Sequence, residues 1–295
     1  MQLEIATAPD SFGVWFAEDD RQMDWRRYLD EAAAAGYRWT ELGPLGYLPV
    51  DARVLAVELE ERELRACGQA IMLPLEDPDS WPALEHEIKA SGILLQALSA
   101  RHLVLIDAMY TDLHSGARIQ PRELDDDAWW RLIENVERAA RVAQEFYGLR
   151  LSFHPHAETH VETEAQIERL LAETDPHLVR LCFDTGHHLY AGGDPIGFMR
   201  RHHDRVDYLH VKSVDPAVLA DARRESLPFS AAVARGAFCE LDRGAIDFAR
   251  FGDLLREVDF QGFVVVEQDM YPAPPDKPLP IARANRDYLR RLGWG

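Results

Sequence analysis

The sequence predicts an α/β protein, a single (β/α)8 TIM barrel that takes in residues 1–295. Strand-like and helix-like segments alternate along the whole chain, with no linker or low-complexity segment between them. The length suits one barrel of about 250 residues with extensions. In addition, three apolar runs in the second half of the chain end in Asp184, His210 and Glu267, as parallel strands do at the functional end of a barrel.

The eight predicted strands are short runs rich in Val, Leu, Ile, Phe and Tyr. In chain order they take in residues 3–8, 37–43, 69–74, 102–107, 149–154, 179–184, 206–212 and 263–269. Each strand is followed by a helical segment, so neighbouring strands are expected to run parallel.

The predicted helices have apolar residues at helical spacing and recognisable ends. In the first, Trp25, Leu29 and Ala32 share one face, and Gly36 ends the segment. The helices cover residues 24–36, 50–67, 81–100, 125–147, 163–173, a segment opened by Asp194 and Pro195, 248–258 and 280–292. Residues 215–247 break this alternation, and we interpret this long excursion as a lid or pocket wall.

Composition narrows the class of protein. The formal net charge is −19, which argues against nucleic-acid binding because phosphate neutralisation needs Lys and Arg. Hydrophobic residues make up 47% of the chain, yet no run is long enough for a membrane span, and the N-terminus does not resemble a signal peptide. Cys67, Cys182 and Cys239 form no zinc motif, so we expect core packing for Cys182 and a cytoplasmic location.

Asp184, His210 and Glu267 are candidate metal ligands. The first interval between them leaves room for one helix, and the second for a helix plus the excursion. Carboxylate, imidazole and carboxylate suit a hard or borderline divalent cation. A single Asp or His at a strand end is more often a turn residue or a helix cap, but three in succession favour one site at the strand C-termini.

Residues beside these ligands are candidates for catalysis. Gly186 allows a tight turn that would return His187 to the site, whereas His188 is expected to be solvated or to support a neighbour. Lys212 lies two residues after His210 and would face the same side of the strand. Next to a cation its pKa should be lowered, which suits a base, an acid or an oxyanion donor; the alternative is an ion pair at the barrel rim.

The segment after the fifth strand is rich in imidazole and carboxylate groups. Alternation would place five of them on one side: His154, His156, Glu158, His160 and Glu162. The fourth metal ligand is expected from here, as His154 or Glu162. Thr163 and Gln166 have the spacing of a capping box, which would leave Glu162 just before a helix and able to reach inward.

The chain resembles the xylose-isomerase-like barrel superfamily of sugar isomerases, epimerases, dehydratases and endonuclease IV. The resemblance covers essentially the whole chain and is carried by Glu41-Leu-Gly-Pro, Phe183-Asp184-Thr-Gly-His187, Leu209-His210-Val-Lys212 and Val266-Glu267. Within the superfamily the chain is most similar to inosose (2-keto-myo-inositol) dehydratases. That similarity rests on Glu41-Leu-Gly-Pro, His154-Pro-His156 with Thr159-His-Val-Glu162-Thr163, and the stretch from Phe238-Cys-Glu240 to Gly244-Ala-Ile-Asp247.

The resemblance implies a divalent metal, Mn first and Co, Mg or Zn as alternatives. Its expected ligands are Asp184, His210, Glu267 and Glu162, with His154 as the alternative to Glu162. The expected catalytic residues are Lys212, His156, His187 and Glu267. Substrate contacts are expected from Glu41, Asp107, His154 and Glu240.

One departure from the resemblance favours a lyase. Epimerases of this superfamily carry a glutamate at the end of strand five, which binds the metal and pairs with the strand-eight glutamate as a second base. Here His154 occupies that position. Elimination of water needs only a base, a metal and an acid for the departing hydroxyl. A small keto-cyclitol or keto-sugar is therefore the expected substrate.

Three alternatives remain. A ketose epimerase or aldose–ketose isomerase would use Glu267 and Glu162 as its two bases. A sugar-binding or partner-binding barrel without catalysis is a second alternative. Cleavage of DNA is disfavoured by the negative charge and by the lack of further ligands for a trinuclear site. The oligomeric state stays open, with a homo-oligomer among the alternatives.

Overall fold

Eight parallel strands close into a barrel in the computed structural model, which describes residues 2–295. They are β1 (Gln2–Thr7), β2 (Trp39–Glu41), β3 (Arg65–Leu73), β4 (His102–Asp107), β5 (Arg150–Phe153), β6 (Val179–Asp184), β7 (Val206–Val211) and β10 (Gln261–Val266). Two short strands, β8 (Ser213–Val214) and β9 (Phe238–Cys239), pair outside the barrel. Around the barrel the order is β1-β10-β7-β6-β5-β4-β3-β2. The predicted fold class is confirmed.

Helices surround the barrel, and eight of the eleven within residues 2–295 begin at an Asp or Thr whose side chain caps the first turn. They are α1 (Trp25–Ala34), α2 (Ala52–Glu60), α3 (Trp81–Ala97), α4 (Asp126–Tyr147), α5 (Glu164–Glu173), α6 (Thr185–Tyr190), α7 (Pro195–His202), α8 (Pro216–Glu225), α9 (Phe229–Ala234), α10 (Phe248–Glu257) and α11 (Pro278–Arg291). Thr163 and Gln166 form the predicted capping box of α5. Within residues 2–295 no helix has both the length and the apolar character needed to cross a membrane.

Apolar side chains of the barrel and its surrounding helices form two cores. The larger lies between the strands and the surrounding helices, where one face of each helix is buried. The smaller fills the inside of the barrel with Ala6, Cys67, Val104, Cys182 and Tyr208 among its members. Both cysteines are fully buried here, so Cys182 has the packing role that the sequence predicted.

The largest difference from the predicted boundaries lies between the second helix and the third strand. The predicted helix over residues 50–67 ends at Glu60, and β3 begins at Arg65 rather than at residue 69. Glu63 has a φ of 55°, which turns the chain between the two elements. Ala66 and Cys67 are buried in the strand, and the charged residues before them had favoured helix.

The excursion over residues 215–247 folds into α8, α9 and β9, and it packs on the loop after β4. Phe229, Val233, Phe238 and Met109 are buried in a separate cluster there. Phe229 also lines a cavity at the mouth of the barrel. The excursion therefore has the predicted position of a pocket wall.

Candidate metal and catalytic site

A cavity of about 440 Å³ opens at the C-terminal ends of the barrel strands. Apolar side chains of the surrounding loops form part of its lining, including Trp15, Phe16, Met109, Leu113 and Phe229. The remainder is largely ionisable side chains from the strand ends. These include Asp10, Glu41, His154, His156, His187, His210, Lys212, Glu267 and Asp269.

Asp184, His210 and Glu267 meet beside this cavity because their strands are neighbours. Asp184 pairs with His210 across β6 and β7, and Val265 of β10 pairs with His210 on the other side. His210 Nδ1 lies 3.0 Å from Glu267 Oε2 and 3.9 Å from Asp184 Oδ2. All three side chains are buried. The structure thus brings together the three residues that the strand ends predicted.

His154 joins this cluster from the end of β5, and its ring centroid lies 4.7 Å from that of His210. Among residues 2–295, His154 Nδ1 and His187 Nδ1 are buried and have no hydrogen-bond partner, while Asp184 Oδ2 and His210 Nδ1 have only ion-pair contacts within the cluster. Ligand-type atoms lie within 4.8 Å of one another in three trios of this cluster: His154, Asp184, His187; His154, Cys182, His210; and Glu41, His210, Glu267. Unpaired buried polar atoms call for a partner, so this donor set fits a divalent cation.

Glu41 fixes the orientation of the His210 ring. His210 Nε2 lies 2.8 Å from Glu41 Oε1, which leaves Nδ1 facing Glu267 and Asp184. Burial opposes a charge on this imidazole, but Cys182, Glu267 and Glu41 raise the pKa of His210. A carboxylate on the far nitrogen is the usual support of a metal-binding histidine.

Asp184 has two roles, one for each carboxylate oxygen. Its Oδ1 accepts a hydrogen bond of 2.8 Å from the His187 backbone N–H and so caps α6. Its Oδ2 faces the cluster, 3.3 Å from Lys212 Nζ. The helix-cap and metal-site interpretations of this residue are therefore compatible.

Residues 185–190 form the helix α6, so the tight turn predicted at Gly186 is wrong. A Cβ at Gly186 would lie 2.0 Å from Lys212 Cγ, so glycine is needed here to make room for Lys212. The helix directs His187 to the cavity. His188 is buried on the other side, 3.2 Å from Glu164 Oε2, and is not solvated.

Lys212 lies among carboxylates. Its Nζ is 3.3 Å from Asp184, 3.0 Å from Glu267 and 3.1 Å from both oxygens of Asp269. Burial acts to lower the pKa of Lys212, but these carboxylates raise it well above its usual value. Among these carboxylates Lys212 is an ammonium group that donates hydrogen bonds, and the lowered pKa expected beside a cation stays a prediction.

Three histidines line the cavity beside His210 and Lys212. Burial lowers the pKa of His154 and His187 and brings that of His156 to about 3, so all three are neutral at pH 7. The His156 and His187 ring centroids are 3.9 Å apart. His156 Nδ1 lies 2.8 Å from the Ala157 carbonyl and must carry the proton, which leaves Nε2 as an acceptor.

Three predicted site residues lie away from the cluster. Glu162 accepts hydrogen bonds from Arg122 at 2.7 Å and from Tyr110 at 3.1 Å. Asp107 is fully buried and lies 2.7 Å from His160 Nδ1. Glu240 pairs with Arg243 at 3.1 Å. None of the three lines the cavity.

These placements correct the sequence-based expectations for the loop after β5. Alternation does not continue beyond β5, because the chain turns after Phe153 and Glu158 has a φ of 57°. His154 therefore replaces Glu162 as the fourth residue of the cluster.

Two carboxylates that line the cavity, Asp10 and Asp269, were not predicted from the sequence as site residues. Asp10 follows β1, and Asp269 lies two residues after Glu267. Burial and the neighbouring Glu267 raise the pKa of both. The rule that identified Asp184, His210 and Glu267, a ligand-type residue just past an apolar strand, applies equally to these two residues.

Comparison with known proteins gives a family assignment. A family model described as "xylose isomerase-like TIM barrel" matches residues 29–292. Inosose dehydratase of Geobacillus kaustophilus is 35% identical over 272 residues, which cover 90% of this chain and 86% of that protein.

Solved structures show the same fold at low sequence identity. The probable 3-DHS dehydratase AsbF of Bacillus anthracis has a TM-score of 0.72 and 14% identity, covering 98% of this chain and 99% of that one. The IolI protein, determined with a bound zinc atom, has a TM-score of 0.72 and 14% identity over 98% of each chain.

Proposed function

The chain belongs to the xylose isomerase-like TIM barrel family, and from this premise we propose that it is a divalent-metal-dependent dehydratase acting on a keto-cyclitol, with 2-keto-myo-inositol as the first candidate. The relative with 35% identity is an inosose dehydratase, and the match spans most of both chains. The site contains the parts that elimination of water requires: a metal-type donor set, a proton acceptor and a proton donor.

Asp184, His210, Glu267 and His154 would hold the metal, and Glu41 would orient His210. When bound, a divalent cation supplies a Lewis acid that polarises the substrate carbonyl and stabilises negative charge on its oxygen. Imidazole and carboxylate donors suit Mn, Co or Zn, and Mn remains our first choice.

His156 and Lys212 would move the protons. His156 Nε2 takes the proton from the carbon next to the carbonyl, and the Lys212 ammonium protonates the hydroxyl that leaves as water. The C–H and C–O bonds break and a C=C bond forms. His156 then returns its proton to Lys212 through His187, whose Nε2 lies 3.0 Å from Lys212 Nζ. The cycle consumes no external acid or base.

One observation carries the choice of lyase over epimerase. Epimerisation needs a second base on the other face of the substrate. Glu162, the carboxylate that was expected to supply it, is held by Arg122 and Tyr110 away from the cavity. At the end of β5, where an epimerase of this superfamily would carry its second glutamate, this chain has His154, which belongs to the metal-type donor set.

The charge of the cavity supports an uncharged substrate. Its lining contains five carboxylates, Asp10, Glu41, Glu87, Glu267 and Asp269, whereas Lys212 is the single lysine or arginine among the described lining residues. A substrate with a carboxylate or phosphate would meet this field unfavourably. A neutral keto-cyclitol would not be repelled. Its ring faces and hydroxyl groups suit a cavity that has both apolar and hydrogen-bonding side chains.

The test is incubation of the Mn-loaded protein with 2-keto-myo-inositol in deuterated water, followed by mass spectrometry. We expect loss of one water molecule per turnover. 3-Dehydroshikimate, a carboxylate of similar size, is the matched control and should not react. Deuterium uptake without loss of water would instead identify an epimerase, and the absence of both reactions would refute this substrate.

A further inference from the structure

A second cavity, of about 300 Å³, lies at the other end of the barrel, where β5, β6 and β7 begin. Its lining contains Arg150, Arg180, His177 and Asp207. In TIM barrels this end generally serves stability, and the chemistry takes place at the opposite end. None of these residues takes part in the elimination described above, so the cavity needs a separate explanation.

Strands rather than loops position the charged groups. Arg150 is the first residue of β5, and Arg180 of β6 pairs with Ser152 of β5. The register between β6 and β7 shifts at this level, since Leu181 pairs with Val206 and Cys182 with Tyr208. Asp207 lies at this bulge, and bulges redirect side chains. The arrangement is therefore fixed by the barrel itself.

Positive charge in this cavity is only partly neutralised. Within residues 2–295 the Arg150 guanidinium has no hydrogen bond or ion pair. The Arg180 Nε lies 3.9 Å from Asp207 Oδ2, beyond hydrogen-bond distance. Asp207 is already engaged, because its Oδ1 accepts a hydrogen bond of 2.9 Å from Ser152. Two guanidinium groups thus share one carboxylate.

The chain offers many carboxylates that could neutralise an arginine. The sequence has 51 Asp and Glu residues against 32 Lys and Arg. Several exposed arginines have a carboxylate at a short distance, for example Arg256 with Asp253 at 2.6 Å and Arg200 with Glu257 at 2.8 Å. The neighbouring Arg205 is satisfied by the backbone carbonyls of Leu171 and Val179. Arg150 and Arg180 have donors to spare.

We propose that this cavity binds a small phosphate-type oxyanion, either inorganic phosphate or the phosphoryl group of a small metabolite. A guanidinium presents a planar fork of N–H donors that matches the spacing of phosphate oxygens. Arg150 and Arg180 supply two such forks, and His177 supplies a further donor. The anion neutralises the excess positive charge, and Asp207 keeps its hydrogen bond to Ser152.

The test is calorimetric titration of the metal-loaded protein with sodium phosphate at constant ionic strength, with chloride as reference. We expect saturable binding of phosphate and a rise in melting temperature that chloride does not produce. Arg150→Gln and Arg180→Gln should each weaken binding by about tenfold or more, since a hydrogen bond to a charged group contributes roughly that factor. Arg53→Gln, an exposed arginine on α2, is the matched control and should bind like the original protein.

Glycerol 3-phosphate distinguishes the two sources of phosphate. If it binds more tightly than inorganic phosphate, the site takes a phosphorylated metabolite; if more weakly, it takes the free ion. Phosphate bound to the metal instead would persist in both arginine variants. That result, or the absence of saturable binding, overturns the proposal. Should Arg180→Gln fail to fold by circular dichroism, Arg150→Gln decides alone, because Arg150 is exposed at a strand start.

Discussion

The ends of β6, β7 and β10 and the loop after β5 carry the same kinds of side chain, but they use them differently. Asp184, His210 and Glu267 at the strand ends converge within hydrogen-bond to ion-pair distances. Glu158 and Glu162 in the loop hold other loops together. Glu158 accepts hydrogen bonds from Thr111 and from the Phe229 backbone N–H, at 2.8 Å for the latter.

The difference teaches where residue type predicts chemistry. In a closed parallel barrel, pairing fixes the height and direction of each strand end, which brings the ligand-type residues of the neighbouring strands β6, β7 and β10 together. Asp107, at the end of β4 on another part of the barrel, bonds to His160 instead. A loop has no such constraint, and its carboxylates find the nearest donors. In this protein the loop carboxylate Glu158 supports the wall that carries Phe229, whereas His210 and Glu267 at the strand ends face the cavity.

Glu267→Gln is the substitution with the largest expected effect, and it tests whether the strand-end groups form the metal site. The substitution keeps the size of the side chain but removes one charge from the cluster. We expect turnover to be abolished. Metal affinity should fall by more than about 100-fold, because changes to residues that only support a metal ligand already reduce it by about 10–100-fold. Metal analysis and a dehydration assay measure both effects, with Glu240→Gln, a carboxylate away from the cavity, as control. Normal metal content and activity would refute the assigned ligand set.

Gly186→Ala tests the link between α6 and Lys212. The added Cβ would lie 2.0 Å from Lys212 Cγ, so the lysine must move. We expect turnover to fall by roughly a hundredfold, because small displacements of a catalytic group have effects of that size. Metal content should be unchanged. Gly148→Ala, where no atom lies within 4 Å of the added Cβ, is the control for activity. If Gly186→Ala retains full activity, the position of Lys212 does not limit the reaction.

Glu162→Gln is the counterpart of Glu267→Gln in the loop. It removes the charge that Arg122 and Tyr110 contact. We expect metal content to stay normal and the free energy of unfolding to fall by about 1–2 kcal/mol, since buried hydrogen bonds to a charged group are lost. Chemical denaturation and metal analysis give the two values. Loss of metal in this variant would restore Glu162 as a ligand.

The smallest expected effect is a change in the pH dependence of stability, and it concerns a residue at the start of a strand rather than at its end. His102 begins β4, and burial together with Arg150 lowers its pKa to about 4. The unfolded chain therefore binds more protons than the folded one between the ordinary pKa of about 6.5 and pH 4, and stability falls as pH falls through this range. We expect His102→Gln to reduce the slope by roughly 1 kcal/mol per pH unit. Denaturation curves at pH 7, 6 and 5 measure it, and equal slopes would contradict the assignment.

The barrel and the cluster of Asp184, His210 and Glu267 could be predicted from the sequence, because both follow from the pattern of apolar strands. β4 and β6 begin and end at the predicted residues, and the ligand-type residues at the ends of β6, β7 and β10 meet as expected. The predicted inward position of Glu162 was wrong, because Arg122 binds this carboxylate. Arg122 lies 40 residues earlier, and no sequence pattern near Glu162 indicates this contact. Lys212 was correctly placed at the site, but its pKa depends on Asp269, a partner that only the closed barrel brings near.

The divided use of Asp184 offers a practical route to trapping a substrate. One oxygen caps α6 and the other faces the cluster. Asparagine is as good a helix cap as aspartate, so Asp184→Asn would retain the start of α6 while removing one negative charge from the donor set. A crystallographer would then have a folded barrel with an intact pocket and impaired turnover, suited to soaking with an unreacted ketone.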